Sequence, residues 1–181
     1  MHRTIRYDDK TDTMTLTGDT KHVRTLSSEL GFNERARSVV SPGVKIPCTD
    51  ENSTPLEPQE ASRYRSLCMT LGYLAQDRPD VQYCGKECAR GMSTPTIRHQ
   101  EILKRTVRYL IGRPSCSYIY KRQRLPNRVS IYSDADWAGC PVTKKSTSGT
   151  MVFLGEHLIF SQSSTQTPIA LSSGEVNSMH W

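Results

Sequence analysis

No apolar run in this chain approaches the roughly 18 residues that a membrane-crossing helix needs, which excludes such a helix from the reading. The opening residues, MHRTIRYDDK, lack the apolar core of a secretory leader, so an intracellular chain, cytoplasmic or nuclear, is expected, with no membrane partner. Aromatic residues are scarce at 7%, and hydrophobic residues reach only 35% against 23% charged, which describes a globular but polar chain. Six cysteines are present, yet Cys84 and Cys88 have no second close pair and no histidine cluster to complete a zinc site. Without a leader they are expected to be reduced thiols. At 181 residues the chain can bury a real core, as one large domain or two small ones.

Acidic residues are scarce in one region. Between Arg98 and Arg128 there are nine Lys/Arg and one acid, Glu101, a local charge of +8 in a chain whose total is +6. A charge run is usually a solvated face. One this concentrated also suits a phosphate backbone, and both readings stand at this point.

Read in order, residues 3–16 alternate as a hairpin with a polar turn at Asp8 to Asp12. Asp19 or Thr20 can cap a helix carrying Val23, Leu26 and Leu30, and Gly31 is a suitable stop. Residues 33–61 hold Pro42, Pro47, Pro55 and Pro58 with few apolar residues, and read as a linker. Three helices should follow. The first carries Tyr64, Leu67, Leu71, Leu74 and Ala75 at helical spacing and ends before Arg78-Pro79. The second runs from Pro79 through Cys84 and Cys88 to Met92. The third begins at Ser93 or Thr94 with Pro95 inside. Its apolar face is Leu103, Val107, Leu110 and Ile111, and Lys104, Arg105 and Arg108 fall opposite, as a nucleic-acid track or a partner-helix surface. Ser117 to Tyr120 reads as a short strand.

The remaining residues centre on RVSIYSDADWAGCPVTKKSTSGTMVFLG, 128–155. Val129 and Ile131 alternate with Ser130 and Tyr132 as a half-buried strand that delivers Asp134 at its end. Further strands are expected at 148–154, 157–162 and 168–172, with a helix start at Ser172 to Glu175. The words YSDADWAG, KKSTSG, FLG and ALSSGE, in that order, resemble the ribonuclease H region of copia-type LTR retrotransposon polyproteins. Upstream, YRSLCMTLGYLAQDRPDVQY and MSTPTIRHQEILKRTVRYLIG resemble the segment joining reverse transcriptase to ribonuclease H in the same family.

The resemblance implies an α+β fold: a hairpin-helix remnant of the reverse transcriptase palm and thumb over 1–32, a linker over 33–61, a helical connection over 62–115, and a truncated ribonuclease H-like mixed sheet over 116–181. It implies an ancestral hydrolysis of RNA in RNA–DNA hybrids with two magnesium ions held by grouped carboxylates. Asp134 matches the first of these, as catalytic residue and metal ligand. Asp136 reads as turn or support. Aligned on the family's second acidic motif, LSSGEVNS puts Glu175 beside the expected glutamate and Asn177 upon it, so Glu175 is a weak substitute. One carboxylate does not fix two divalent ions, and catalysis by this chain is not expected. The family's polymerase motif, an aspartate pair between apolar residues, has no match; Asp8-Asp9 sits in a polar turn. Lys144, Lys145, Ser146 and Thr147 carry donors suited to phosphate or sugar hydroxyls, or else form a polar hairpin turn. His157 and His180 receive no role. The implied partners are an RNA–DNA hybrid or other nucleic acid and the rest of the Pol polyprotein. A non-catalytic binding module and a decayed fragment remain open beside the nuclease.

Overall fold

The computed structural model describes residues 3–33, 36–44, 46–140 and 143–178, and of 176–178 the backbone alone. In chain order the elements are β1 (Arg3–Asp8), β2 (Thr13–Gly18), α1 (Lys21–Glu29), α2 (Pro58–Ala75), α3 (Pro79–Arg90), α4 (Ile97–Gly112), β3 (Ser117–Lys121), β4 (Val129–Asp136), β5 (Thr147–Leu154), β6 (His157–Thr165) and α5 (Ser173–Ser178). The chain is therefore α+β. It divides into two compact units: Arg3 with Thr17–Cys116, and Thr4–Leu16 with the residues from Ser117 on.

The first unit holds the apolar core. The 3.6-residue spacing of Tyr64, Leu67, Leu71 and Leu74 puts one stripe of α2 inward. It meets Val23 and Leu26 of α1, Val81 and Cys88 of α3, and Leu103, Val107 and Leu110 of α4, all of them buried. Each such aliphatic side chain stabilises the fold by about 1.5–3 kcal/mol. Gly31, at φ +72°, ends the first helical segment in the left-handed region that glycine enters without a Cβ clash. Pro58 and Pro79 each stand in the first turn of a helix, where the missing N–H costs nothing. Helix α2 thus starts inside the expected linker. The expected start of α4 also moves. Thr96 is its N-cap, and the capping box closes through His99, whose Nδ1 accepts the Thr96 N–H at 3.2 Å. Pro95 is left outside the helix.

The proline-bearing segment before α2 lies on α4 rather than apart from it. Val39, Ile46 and Leu56 pack on the core, and two arginines of the basic run hold the segment's carbonyls: Arg98 Nε donates to Ile46 O at 2.9 Å and Arg108 Nε to Arg37 O at 2.8 Å.

The second unit contains two three-stranded sheets, in the orders β1-β2-β3 and β4-β5-β6. The polar turn between β1 and β2 is built by Asp8, whose carboxylate accepts the Lys10 N–H and the Thr11 hydroxyl and is thereby held below the usual carboxylate pKa. Asp8-Asp9 is turn chemistry. In the other sheet β4 pairs antiparallel with β5, Ile131 facing Val152, and β5 with β6, Val152 facing Phe160. These three therefore share a face, while Tyr132 and Met151 share the opposite one. Both faces are wet: Ile131 and Phe160 are each 49% exposed and Tyr132 is 65% exposed. The buried side chains of this unit are mainly polar, Ser146, Thr147, Ser148 and Gln166, beside Cys140 and Ala170.

The expected fourth strand at 168–172 does not form, so the described sheet is antiparallel throughout and not mixed. Pro168 has no N–H for a ladder. The neighbouring backbone groups are taken by side chains instead, the Ala170 carbonyl by Trp137 and the Leu171 N–H by Glu175.

Candidate functional site

The end of β4 and the loop that follows it collect most of the residues singled out from sequence. Asp134 is exposed, opposite Gly149 on β5, and its Oδ1 accepts the N–H of Ala135 at 2.9 Å. Asp136 is the last residue of β4, not a residue beyond it, and its carboxylate accepts the Thr147 N–H across the sheet. Gly139 lies so close that a Cβ there would collide with that carboxylate. Asp136 is consequently an anchor for the loop.

The loop closes on itself. Ala138, at φ +49°, donates its N–H to Ser146 Oγ at 3.1 Å, Cys140 N–H reaches Lys145 O at 3.2 Å, and Lys144 N–H reaches Cys140 O at 3.0 Å. Gln166 N–H then ties Ser146 O to the end of β6 at 2.9 Å. Ser146 and Thr147 are buried, with the Ser146 hydroxyl and the Thr147 N–H taken up by this network, whereas Lys144 is exposed and Lys145 half-buried. The lysines, not the hydroxyls, are available to a ligand.

Helix α5 packs against β4. Ser172 Oγ accepts the Glu175 N–H at 3.2 Å, and Glu175 Oε2 accepts the Leu171 N–H at 2.7 Å, so this carboxylate closes the turn that starts its own helix. The Asn177 side chain and His180 lie outside the described residues. Among the described residues no three His, Cys, Asp or Glu side chains are grouped to hold a metal ion. Asp134 and Glu175 both bond to nearby backbone N–H groups. This donor set does not fit a pair of divalent cations, which need several carboxylate oxygens at once.

The basic track on α4 is only partly open. Lys104 is exposed, with Nζ donating to Gln100 Oε1 at 3.0 Å. Arg105 is half-buried and its Nε has no hydrogen-bond partner among the described residues. Arg108 is committed to the Arg37 carbonyl. Lys104 also borders a cavity of about 200 Å³, with Leu30, Tyr64, Leu67 and Leu103 on its walls and Glu60, Arg63 and Gln100 around it.

His157, given no role from sequence, has a structural one. Its Nε2 lies 2.7 Å from the Lys121 carbonyl and its Nδ1 3.0 Å from Gln123 Nε2, so both ring nitrogens are engaged within the unit. Gln123 also donates to Leu154 O and accepts the Glu156 N–H, clasping the β5–β6 turn. The signal was present in the sequence only as a glutamine and a histidine 34 residues apart, with no spacing rule to join them.

Comparison with known proteins bears on this geometry. The chain is 39% identical over 118 residues, 64% of its length, to the retrovirus-related Pol polyprotein from transposon RE1 of Arabidopsis thaliana, of which it covers 8%. It is 36% identical over 117 residues to an uncharacterized mitochondrial protein of the same plant, covering 48% of that protein. It is also 35% identical over 113 residues to the secreted RxLR effector protein 161 of Plasmopara viticola, covering 79% of it. The chain thus spans less than a tenth of the RE1 polyprotein that it matches and about half of the mitochondrial protein. No family model and no solved structure matches it.

Proposed function

Because the chain belongs to the copia-type retrovirus-related Pol polyprotein family, we propose that it is a segment derived from the ribonuclease H end of such a polyprotein that binds RNA–DNA hybrids without cleaving them. On this reading residues 1–32 descend from the reverse transcriptase palm and thumb, 62–115 from the connection, and 116–181 from the first part of the ribonuclease H domain, with the remainder of the polyprotein as a further partner and an intracellular site of action. The observation that carries it is Asp134. It stands exposed at the end of β4, with α5 packed on the same strand and a closed lysine loop following. Magnesium is the ancestral cofactor. A single exposed carboxylate with a second one tied to its own turn binds such an ion weakly, so affinity rests on Lys144 and Lys145 of the loop facing phosphate. A second reading, a decayed fragment without function, draws on the wet apolar residues of β4 to β6.

The test is fluorescence anisotropy of a labelled RNA–DNA hybrid at two salt concentrations, alongside a magnesium-dependent cleavage assay. Binding that falls steeply with salt, weakens in the Lys144→Gln/Lys145→Gln variant, survives Asp134→Asn and yields no product supports the proposal. Magnesium-dependent cleavage abolished by Asp134→Asn overturns it in favour of an active nuclease. Binding no stronger than that of an unfolded peptide of equal charge overturns it in favour of the decayed fragment.

A further inference from the structure

Trp137 is the residue of the loop that none of these roles uses. It follows Asp136 directly, and 54% of it is exposed although it is the largest side chain of the loop. Exposure of an indole is unfavourable by its area, and tryptophan usually lies against a core. Here the ring is nevertheless held in place. Its Nε1–H donates to the Ala170 carbonyl at 3.0 Å, which satisfies the polar edge of the ring. What faces solvent is therefore mainly carbon.

The surroundings give that ring a chemistry. The hydrogen bond from Ala138 N–H to Ser146 Oγ joins the residue after Trp137 to the residue after Lys145, so the two ends of the loop lie side by side. From Trp137 to Ser146 the loop contains Lys144 and Lys145 and no acid. An oriented aromatic ring at one end of a loop with flexible ammonium groups at the other offers a nucleobase a ring to stack on and its phosphate a cation. Tyr132 meets Phe153 edge-on at 5.7 Å, and the Tyr7 hydroxyl is bonded to Asp12.

We propose that Trp137 is a stacking platform for an unpaired nucleobase, with Lys144 and Lys145 facing the adjoining phosphates. The inference rests on the nucleic-acid reading above and assigns it a contact that carries no sequence preference, because every base has a π-face. Stacking of one base predicts that Trp137→Ala weakens binding roughly 5- to 150-fold. It also predicts an unchanged salt dependence, because no phosphate contact and no counterion release is removed.

The chain has two tryptophans, Trp137 and Trp181, so Trp181→Phe leaves a single reporter. A labelled RNA–DNA hybrid with a short single-stranded overhang is titrated while label anisotropy and indole emission are both followed. The expected result is quenching of Trp137 that saturates together with the anisotropy. Trp137→Phe, which keeps a ring, should retain most of the affinity that Trp137→Ala loses. Anisotropy that saturates with emission unchanged overturns the stacking role and leaves nucleic-acid binding intact. Equal affinities for Trp137→Ala and the parent do the same. Absence of any anisotropy change removes the nucleic-acid reading itself, and the platform with it. The emission readout uses the native Trp137, so it does not depend on how the alanine variant folds.

Discussion

Asp80→Ala tests how the helical unit is held together where α3 begins. Arg78 precedes the helix with only 4% of its side chain exposed, and it grips Asp80 twice, Nε to Oδ1 at 2.9 Å and Nη2 to Oδ2 at 2.7 Å. The Tyr109 hydroxyl, from α4, donates to the same Oδ2 at 2.8 Å, so one carboxylate joins two helices. Arg78 Nη1 has no hydrogen-bond partner among the described residues, which leaves the guanidinium dependent on Asp80 for its compensation. Removing the carboxylate strands a buried positive charge, a loss of about 3–5 kcal/mol. Because 31% of the Asp80 side chain is exposed, the lower end of that range, about 3 kcal/mol, is expected. For a unit of this size each kcal/mol lowers Tm by about 4–8 °C, so a thermal melt followed by circular dichroism should fall by about 12 °C or more.

The effect also has a pH signature. Burial pushes the Asp80 carboxyl up, but the two hydrogen bonds and the charge of Arg78, with the Tyr109 hydroxyl, outweigh it and hold the net value below 3.8. A carboxyl lowered in the folded state stabilises it above its unfolded value and loses that contribution as pH falls through the folded value. The gap between parent and variant should therefore be full at pH 7 and shrink below pH 3.8. A fall in Tm under about 4 °C at pH 7, equivalent to less than about 1 kcal/mol, would refute the reasoning. A gap that persists unchanged in acid would do so too. Replacing both partners, Arg78→Leu with Asp80→Leu, should recover most of the loss, since no stranded charge remains.

Arg98→Ala and Arg108→Ala should each free the segment around 36–46, raising its amide exchange and lowering stability by about 1 kcal/mol for each lost hydrogen bond; protection unchanged in the double variant would show that Val39 and Ile46 suffice. Hydrogen exchange should also separate the units, with β4 to β6 amides exchanging well before those of α2 and α4, because the apolar core lies with the helices; equal protection would contradict that assignment.

The helical unit was largely legible because its signals are local. Val23 and Leu26, the α2 stripe, and Leu103, Val107 and Leu110 repeat at the helical period, and Pro79 marks a first turn. What the sequence concealed depended on partners far along the chain. His99 at the third helical position replaces the acid or amide of a capping box, so α4 started later than Ser93 or Thr94 suggested. Arg98 and Arg108 read as free positive charge, yet their targets are carbonyls 52 and 71 residues away. Near the candidate site, Asp134 at a strand end followed from period-2 alternation. Ser146 and Thr147 looked like solvent-facing donors and are buried, since a closed loop of polar residues satisfies itself as readily as water does. The strand at 168–172 read as apolar sequence around Pro168 and Ile169, but Trp137 and Glu175 claimed its backbone groups first.

The wet sheet of β4 to β6 has a colloidal consequence. β4 ends the order of its sheet with Val129 and Ile131 exposed on one face and Tyr132 on the other, an edge strand that a second molecule can extend strand to strand. Opposing this attraction is the net charge of +6, whose repulsion acts over about 10 Å at 0.1 M salt and over less as salt rises. Solubility should then run opposite to that of a protein salted in by its charges: the chain stays dispersed in dilute buffer and clouds as ionic strength climbs, and any polyanion that neutralises it without covering the sheet will precipitate it.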